Sequence, residues 1–270
     1  MPEISTSVSS SISYRKMGAG PAIVLLHGFP ESGTLWQHIW HELCGSFTLI
    51  IPDFPGSGNS VLERETGMED MAECVLAILD KESIETAVIA GHSMGGYVAF
   101  AFAGLYPARV AGLSLVHSVP MADDEERKNI RLRSIELIRN GGKNAFISQM
   151  VPNLFTTSFK RSNPEAVRQQ VDEAMKMDES SLINFYNAMI ARRDHTFVLR
   201  TADFPVQWIV GMEDNVIFYK KILELCNRSD INFVSFYRDC GHMSMVEAPK
   251  SLTSDIKAFA EYCYNSLTKS

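Results

Sequence analysis

A serine with one glycine two residues before it and another two residues after it is the strongest chemical signal in this sequence. Ser93 lies in Gly-His-Ser-Met-Gly at positions 91–95. The apolar, β-branched run before it predicts a buried strand, and the apolar run over 97–106 predicts a helix. A sharp turn between strand and helix crowds both glycine positions and strains the serine by about 1–3 kcal/mol. The pattern predicts a nucleophilic serine at the apex of that turn.

A serine nucleophile needs a base, and the base needs an orienting carboxylate. His242 follows a predicted strand over 233–237, and Asp214 follows a predicted strand over 205–210. The carboxyl ends of parallel strands meet at one edge of a sheet, which is where such sheets hold their catalytic groups. We therefore expect Ser93, Asp214 and His242 to act together, in the chain order serine, acid, histidine.

Three other acidic residues compete for the orienting role. Glu213 is one residue from Asp214, so its side chain should point elsewhere. Asp239 is too near His242 in the chain to reach its ring easily, and Asp53 is expected to stabilise its own Pro- and Gly-rich loop. Asp214 itself has an alternative explanation as the cap of the helix that follows it.

Six further histidines compete with His242 for the role of base. His27 and His117 also follow predicted strands and stay open as alternatives. His92 is beside the serine, on backbone that should point its ring away from the site. The remaining three lie in predicted helices or in the helical segment described below: His38, His41 and His195.

Two backbone N–H groups are predicted to hold the negative charge that develops on the substrate oxygen. The Met94 N–H lies at a helix start, where an anion is favoured. The Phe29 N–H lies in His-Gly-Phe-Pro (27–30), directly after an apolar run over 22–26 that predicts a buried strand. Each such donor lowers the barrier by about 2.7–4 kcal/mol. The alternative for 27–30 is a tight turn with a packed phenylalanine.

The elements that must position these groups alternate along the chain, which predicts an α/β fold: a mostly parallel sheet with helices on both faces. From residue 121 the alternation stops. We expect an α/β core over 1–120 and 203–270 and a helical cap over 121–202. The predicted strands are one or two edge strands within 4–14, then 22–26, 47–51, 86–90, 110–116, 205–210 and 233–237. The predicted helices are 35–43, 68–79, 97–106, 123–139, 164–177, 180–191, 217–225 and 249–267.

An apolar stripe in the predicted helix over 180–191 gives the candidates for contact with a substrate. Phe185, Tyr186 and Met189 lie along it and are predicted to line the pocket. Such a stripe is also what core packing produces. The cap therefore supplies candidates for substrate shape without identifying the substrate.

Composition excludes several classes of partner. The net charge is −7 and no basic run exceeds two residues, so nucleic acid is not expected. No apolar run approaches the roughly 20 residues of a membrane helix, and residues 1–13 lack the apolar centre of a signal peptide. Five widely spaced cysteines predict neither a disulfide framework nor a zinc site. We expect a cytoplasmic protein that acts on a small molecule, and its oligomeric state stays open.

Together these motifs resemble the α/β-hydrolase superfamily over nearly the whole chain, with an α/β-hydrolase fold. The segments 27–30, 53–60, 91–96, 211–214 and 241–242 carry the resemblance. The chain is most similar to the small capped serine esterases and lactonases, including the 3-oxoadipate enol-lactonases. The resemblance implies hydrolysis of esters or lactones of small molecules through an acyl-enzyme, with no cofactor and no metal. One departure is Phe218, where family members often have a proline four residues after the acid.

Other reactions on the same fold stay open. With a serine at the turn they are a carbon–carbon bond hydrolase of dienone acids, a cofactor-free perhydrolase or an acyltransferase. Epoxide hydrolases and haloalkane dehalogenases use an aspartate there, so Ser93 argues against both. A non-catalytic ligand receptor or scaffold is the alternative outside enzymes. A carbon–carbon bond hydrolase of this kind needs polar or basic groups in the cap that bind a substrate carboxylate. The candidates are Arg127, Arg131, Arg133, Arg192 and Arg193, although contact with solvent is the simpler role for each of them.

An acidic run over 123–126 opens the first predicted helix of the cap. In a peptidase specific for N-terminal residues, such a run would bind the substrate amine. The simpler interpretation is a solvated helix start, where negative charge is favoured by the helix dipole.

Overall fold

A computed structural model describes residues 1–267 of the chain. Over these residues it has eight strands and twelve α-helices. The strands are β1 (Glu3–Ile4), β2 (Ile12–Met17), β3 (Ala22–Leu26), β4 (Thr48–Pro52), β5 (Ala87–His92), β6 (Val110–Val116), β7 (Val206–Gly211) and β8 (Asn232–Tyr237). The helices are α1 (Gln37–Leu43), α2 (Met68–Lys81), α3 (Met94–Leu105), α4 (Glu125–Leu137), α5 (Lys143–Met150), α6 (Thr157–Ser162), α7 (Pro164–Met175), α8 (Glu179–Ala191), α9 (Val198–Thr201), α10 (Tyr219–Leu223), α11 (Ser244–Glu247) and α12 (Pro249–Leu267).

The strands form one sheet in the order β1-β2-β4-β3-β5-β6-β7-β8. The pairs β1–β2 and β2–β4 are antiparallel, and the remaining pairs are parallel. Every residue of β3, β5 and β6 is buried, because helices cover both faces of the centre of the sheet. The order confirms the α/β class predicted from the alternating pattern. It also brings the carboxyl ends of the parallel strands to one edge.

Helix α3 explains how the centre of the sheet is covered. Ten of its residues are buried, because the helix is apolar on all sides and lies between the sheet and neighbouring helices. Helix α2 is amphipathic instead and buries only the stripe that includes Met71, Val75 and Ile78. Because α3 begins at Met94, directly after Ser93, the buried position of this helix also fixes the position of the serine turn.

Between β6 and β7 the chain is helical, as the pattern over 121–202 predicts. It forms α4 to α9, and no strand lies within residues 117–205 of the described chain. Asp124 caps α4 by accepting a hydrogen bond from the Arg127 N–H at 2.8 Å. A break at Asn140 and Gly141, where the backbone leaves the helical region, separates α4 from α5.

Several predicted elements have other bounds in the structure. Strand β2 continues to Met17, beyond the edge strands predicted within 4–14, because it pairs with β4 as far as Leu49. The helix predicted over 217–225 is limited to α10. It starts late because the backbone of Phe218 is extended, with ψ 126°, so the helix begins only after that residue.

The five cysteines are all free thiols, and three of them are buried. None of the helices over residues 1–267 has the length and apolar character needed to cross a membrane.

Candidate active site

The serine turn has the strained geometry that its sequence predicts. Ser93 follows β5 with φ 49° and ψ −113°, in the left-handed half of backbone space that a serine rarely occupies. A Cβ at Gly91 would lie 2.3 Å from the Gly95 carbonyl oxygen, and one at Gly95 would lie 2.4 Å from the Leu26 carbonyl oxygen. The Ser93 N–H donates to the Val116 carbonyl at 2.9 Å, which ties the turn to β6. Glycine is needed at both positions because backbone atoms fill the space of a side chain.

Asp214 and His242 come together at the end of the sheet. The distance from His242 Nδ1 to Asp214 Oδ2 is 2.8 Å, and both side chains are buried. The other oxygen, Oδ1, accepts from the N–H groups of Val216 at 2.7 Å and Ile217 at 3.0 Å. Burial alone would raise the pKa of Asp214, but the two imidazoles beside it lower that pKa well below its ordinary range. The carboxylate is therefore ionised and can hold the Nδ1–H of His242.

The second imidazole on Asp214 belongs to His117, whose Nδ1 is 3.2 Å from Oδ2. His117 follows β6 with φ 52° and accepts a long hydrogen bond from the Gly211 N–H at 3.4 Å. Burial lowers the pKa of His117 to about 4, although the nearby Asp214 opposes this shift. His117 is therefore neutral near pH 7, and its buried Nε2 has no hydrogen-bond partner among the described residues.

The loop that carries His242 is held by contacts that the sequence analysis did not predict. The His242 N–H donates to the Leu154 carbonyl at 2.8 Å. Glu247 Oε2 accepts from the N–H groups of Gly241 at 2.9 Å and Met243 at 3.3 Å. Glu247 Oε1 accepts from the Thr156 N–H at 2.9 Å. One half-buried carboxylate thus joins the histidine loop to the helical segment between β6 and β7.

The hydroxyl of Ser93 makes no hydrogen bond to His242 among the contacts of the described residues. The residue before Ser93 in the chain, His92, contacts the His242 loop directly. His92 Nε2 is 2.9 Å from the His242 carbonyl oxygen, and the two ring centroids are 5.0 Å apart. The expectation that the His92 ring points away from the site is wrong, because its buried ring packs on the histidine loop. His92 Nδ1 lies 3.1 Å from Glu31 Oε2.

The two predicted oxyanion donors lie at the same end of the sheet. Met94 opens α3 directly after Ser93, and Phe29 lies in the loop after β3. No described acceptor takes the Phe29 N–H. Just before it, the Gly28 N–H donates to Glu31 Oε2 at 3.1 Å. Thus both predicted donors follow the carboxyl ends of two adjacent parallel strands, β3 and β5.

The competing acids have other positions. Asp53 Oδ1 accepts from the Gly33 N–H at 2.8 Å and Oδ2 from the Asn59 N–H at 3.1 Å, so it stabilises its loop as expected. Glu213 and Asp239 are exposed. The competing base His27 is engaged in the same loop, where its Nε2 lies 2.8 Å from Ser57 Oγ. These contacts leave Asp214 as the carboxylate on His242.

The predicted pocket residues of α8 are all buried and lie in an aromatic cluster. The Tyr186 ring centroid is 4.6 Å from that of Phe29, and Phe185 is 6.3 Å from Phe29. Phe146 of α5 joins them, 5.7 Å from Tyr186, and the sequence analysis missed it. Its distance along the chain from α8 left no signal of the contact. Met189 is buried on the same helix, and its carbonyl accepts from Arg192 Nη1 at 2.9 Å.

The acidic run that opens α4 is only partly solvated. Asp123 is buried, which corrects the expectation of a solvated helix start for this residue. Its carboxylate lies 2.6 Å from Arg131 Nε and 2.9 Å from Arg192 Nη1. These two guanidinium groups offset the cost of burying its charge. Arg127 donates to the Val216 carbonyl at 2.6 Å. Arg133 and Arg193 are exposed.

Three side chains of the site form a set that could also hold a divalent metal ion. The ligand atoms of His117, Asp214 and His242 lie within 4.8 Å of one another. His242 Nδ1 already shares a proton with Asp214 in the 2.8 Å hydrogen bond. A cation between them would displace that proton and the orientation that it provides. The donor set therefore fits a hydrogen-bonded acid and base better than a metal centre.

Comparison with known proteins agrees with this fold. Residues 21–249 match the family model of the alpha/beta hydrolase fold. That match covers well over half of the chain, so the chain belongs to the α/β-hydrolase family, as the motifs indicate.

Individual relatives point in the same direction. A thermophilic esterase from Thermogutta terrifontis, solved with malate bound, superimposes with a TM-score of 0.92 at 28% identity and covers 97% of this chain and 98% of its own. The enol-lactonase from Burkholderia xenovorans LB400 has a TM-score of 0.87 at 21% identity over 96% of this chain and 99% of its own, which supports the fold alone. A pimeloyl-acyl-carrier-protein methyl ester esterase from Pseudoalteromonas atlantica is 25% identical over 77% of this chain and 81% of its own. The chain spans between 30% and 81% of the length of the curated relatives it matches.

Proposed function

We propose that this protein is a serine hydrolase that cleaves carboxylic esters, including lactones, of small molecules through an acyl-enzyme on Ser93. The observation that carries the proposal is the buried 2.8 Å hydrogen bond between His242 and the ionised Asp214, beside the strained serine turn. The esterases among the similar proteins support ester hydrolysis as the general reaction.

In the proposed mechanism Ser93 Oγ attacks the ester carbonyl while His242 Nε2 takes its proton. Asp214 holds the opposite ring nitrogen, so Nε2 is the atom left to act as base, and it stabilises the imidazolium that forms. The N–H groups of Phe29 and Met94 receive the developing oxyanion. Catalytic hydrogen bonds are often long before substrate binds, so we assign the Ser93–His242 hydrogen bond to the substrate complex.

The second half of the reaction uses the same groups. His242 donates its proton to the leaving alcohol, which departs from an ester or stays attached to the acyl chain of a lactone, and the acyl group remains on Ser93 Oγ. A water molecule then attacks the acyl carbonyl while His242 takes a water proton. His242 returns this proton to Ser93 Oγ as the bond to the acyl carbon breaks, so the acid is released and the serine is restored. These steps balance with water as the sole co-reactant, so the proposed reaction requires no metal and no cofactor.

The helical segment over 121–202 is proposed to act as a cap on a core formed by 1–120 and 203–270. Phe185 and Tyr186 support this role, because their rings lie against Phe29 next to the proposed oxyanion donor. Met189 is proposed to complete the apolar wall. An aromatic wall at this place favours an apolar acyl group, and the free thiols suit a cytoplasmic protein.

Substitution of the serine tests the proposal. We expect Ser93→Ala to reduce hydrolysis of a short p-nitrophenyl ester by about 10⁴-fold or more, since the nucleophile is lost. Ser254→Ala, on the exposed side of α12, is the matched control and should keep full activity. Substantial activity in Ser93→Ala would contradict the acyl-enzyme.

Labelling separates the remaining classes. A fluorophosphonate probe should label the wild type on Ser93 and leave Ser93→Ala unlabelled. A labelled protein that hydrolyses no ester or lactone would favour the carbon–carbon bond hydrolase, the perhydrolase or the acyltransferase. An unlabelled wild type would favour the ligand receptor or scaffold.

A further inference from the structure

Three loops must be aligned for the proposed reaction: the loop with Phe29, the serine turn and the loop with His242. Each follows a different strand, and a misplacement of about 1 Å in such a constellation can cost about 100-fold in rate. Asp214 orients the His242 ring, and Glu247 holds the backbone of its loop. Neither of these carboxylates contacts the Phe29 loop or the serine turn in the described hydrogen bonds.

His92 touches the other two loops from the last position of β5. Its Nε2 lies 2.9 Å from the His242 carbonyl oxygen, and its Nδ1 lies 3.1 Å from Glu31 Oε2. The side chains of His92 and Glu31 are 1% and 9% exposed, so water does not compete for these contacts. We propose that His92 and Glu31 are a positioning pair that aligns the Phe29 loop and the His242 loop with Ser93. The proposal rests on the proposed function.

The hydrogens of this pair follow from its partners. A carbonyl oxygen accepts and cannot donate, so His92 Nε2 carries a hydrogen. One further proton then lies between Nδ1 and Glu31 Oε2, whichever of the two atoms holds it. A contact that shares a proton between an imidazole and a carboxylate in a dry place is short-ranged and directional. The pair therefore restrains the direction as well as the distance between the two loops.

Glu31 extends the restraint to the proposed oxyanion donor. Its Oε2 also accepts from the Gly28 N–H at 3.1 Å, and the Glu31 N–H donates back to the Gly28 carbonyl at 3.4 Å. Gly28 is the residue directly before Phe29. A Cβ at Gly28 would lie 2.6 Å from His92 Nδ1, so the backbone of the loop packs directly on the imidazole. Movement of Glu31 would therefore rotate the peptide that precedes the Phe29 N–H.

The experiment compares variants that break the pair with one that keeps part of it. Glu31→Ala and His92→Phe remove the contacts. Glu31→Gln keeps one of the two contacts that Glu31 Oε2 makes, because the atom in that position is either an amide oxygen that accepts from the Gly28 N–H or an NH₂ that donates to His92 Nδ1. Ser114→Ala is the matched control: Ser114 Oγ makes a single buried hydrogen bond to Gln207 at 2.7 Å, inside the sheet.

We expect kcat on a short p-nitrophenyl ester to fall about 10- to 100-fold in Glu31→Ala and His92→Phe, with KM changed less than about threefold. The rate of fluorophosphonate labelling should fall in parallel. Glu31→Gln should have a kcat between those of Glu31→Ala and wild type, and Ser114→Ala should lose stability without losing kcat. All rates are compared at a temperature where each variant is folded.

The proposal is overturned if the breaking variants keep the kcat of Ser114→Ala, or if Glu31→Gln is as impaired as Glu31→Ala. Should His92→Phe fail to fold, the two Glu31 variants decide, because Glu31 lies in a loop and is not part of the apolar core. A wild type that is neither labelled nor active would overturn the proposed function first, and this proposal with it. If the wild type is active and kcat falls in Glu31→Ala and His92→Phe, the result supports both the proposed function and the positioning role of His92 and Glu31.

Discussion

The serine turn and the histidine loop end at the same edge of the sheet but are held in different ways. The serine turn is fixed by close packing of backbone atoms: Gly91 leaves room for the Gly95 carbonyl, Gly95 leaves room for the Leu26 carbonyl at the end of β3, and the Ser93 N–H is bound to β6. The histidine loop is held by distant groups. Asp214 is 28 residues from His242, and the Thr156–Glu247 contact spans 91 residues.

This contrast shows that the helical segment between β6 and β7 helps to hold the histidine loop. Leu154 and Thr156 belong to it, and each makes a backbone hydrogen bond that ends in the histidine loop, directly or through Glu247. A change in the helical segment can thus reach His242 without touching the sheet. The backbone of the serine turn contacts β3, β6 and Ser118 just after β6, and none of α4 to α9.

The largest effect is expected from Gly95→Ala, which breaks the local geometry of the serine turn. The new Cβ would lie 2.4 Å from the Leu26 carbonyl oxygen and 2.5 Å from that of His27, and backbone cannot move aside cheaply. We expect a loss of about 3 kcal/mol or more in the free energy of unfolding, with loss of activity. Urea unfolding and the ester assay measure both.

Gly45→Ala is the matched glycine control, because the nearest atom to its Cβ would lie 3.4 Å away. It should change the free energy of unfolding by less than about 1 kcal/mol. Equal stability of the two variants would mean that the serine turn adapts to a side chain, contrary to its strained geometry.

Glu247→Ala breaks the histidine loop instead. Three backbone N–H groups lose their acceptor, those of Gly241, Met243 and Thr156. Because the carboxylate is half-buried and water can replace part of it, we expect a loss of about 2–3 kcal/mol in the free energy of unfolding. Looser placement of His242 should lower kcat by about 100-fold.

Glu247→Gln keeps one acceptor oxygen and should be intermediate in both measurements. An unchanged kcat in Glu247→Ala would show that the histidine loop, like the serine turn, is set by its own sequence. The comparison between the two regions would then fail.

The smallest expected effect concerns pH and His117. Its pKa is about 4 in the folded protein against an ordinary 6.5, so the unfolded chain binds a proton more readily between these values. The contribution of neutral His117 to stability is complete above pH 6.5 and is lost as the pH falls towards 4. The loss reaches about 2 kcal/mol at pH 5. Asp214, whose pKa is lowered from 3.8, loses its contribution only below this window.

His117→Asn tests this assignment, because asparagine tolerates the positive φ of 52° at this position. Urea unfolding at pH 7 and pH 5 should show a smaller decrease in stability for the variant than for the wild type. The same decrease in both proteins would exclude His117 as the source.

The elements that the sequence predicted best are those with a strong local pattern. The strands predicted over 22–26 and 110–116 and the helix over 249–267 coincide with β3, β6 and α12. Buried strands and a long amphipathic helix carry their signal in consecutive residues. The helix predicted over 217–225 was too long, because the backbone of Phe218 is extended and α10 begins only after it.

The residues of the site likewise differ in whether a local sequence pattern identifies them. Ser93, Asp214 and His242 were predicted because each follows a strand end, and the α/β order brings strand ends together. Glu247 was missed because an acidic residue at the end of a short helix is unremarkable in sequence. His92 was assigned the wrong direction, since the direction of its ring depends on two loops that approach it from elsewhere.

The α/β-hydrolase fold and the serine turn could be predicted from the sequence, because apolar periodicity and glycine spacing are patterns of a few consecutive residues. The contacts that hold the histidine loop, and the side chains that surround Asp214, could be seen only in the folded structure. Those contacts join residues far apart in the chain, and their hydrogen bonds depend on distances and directions that no local pattern contains.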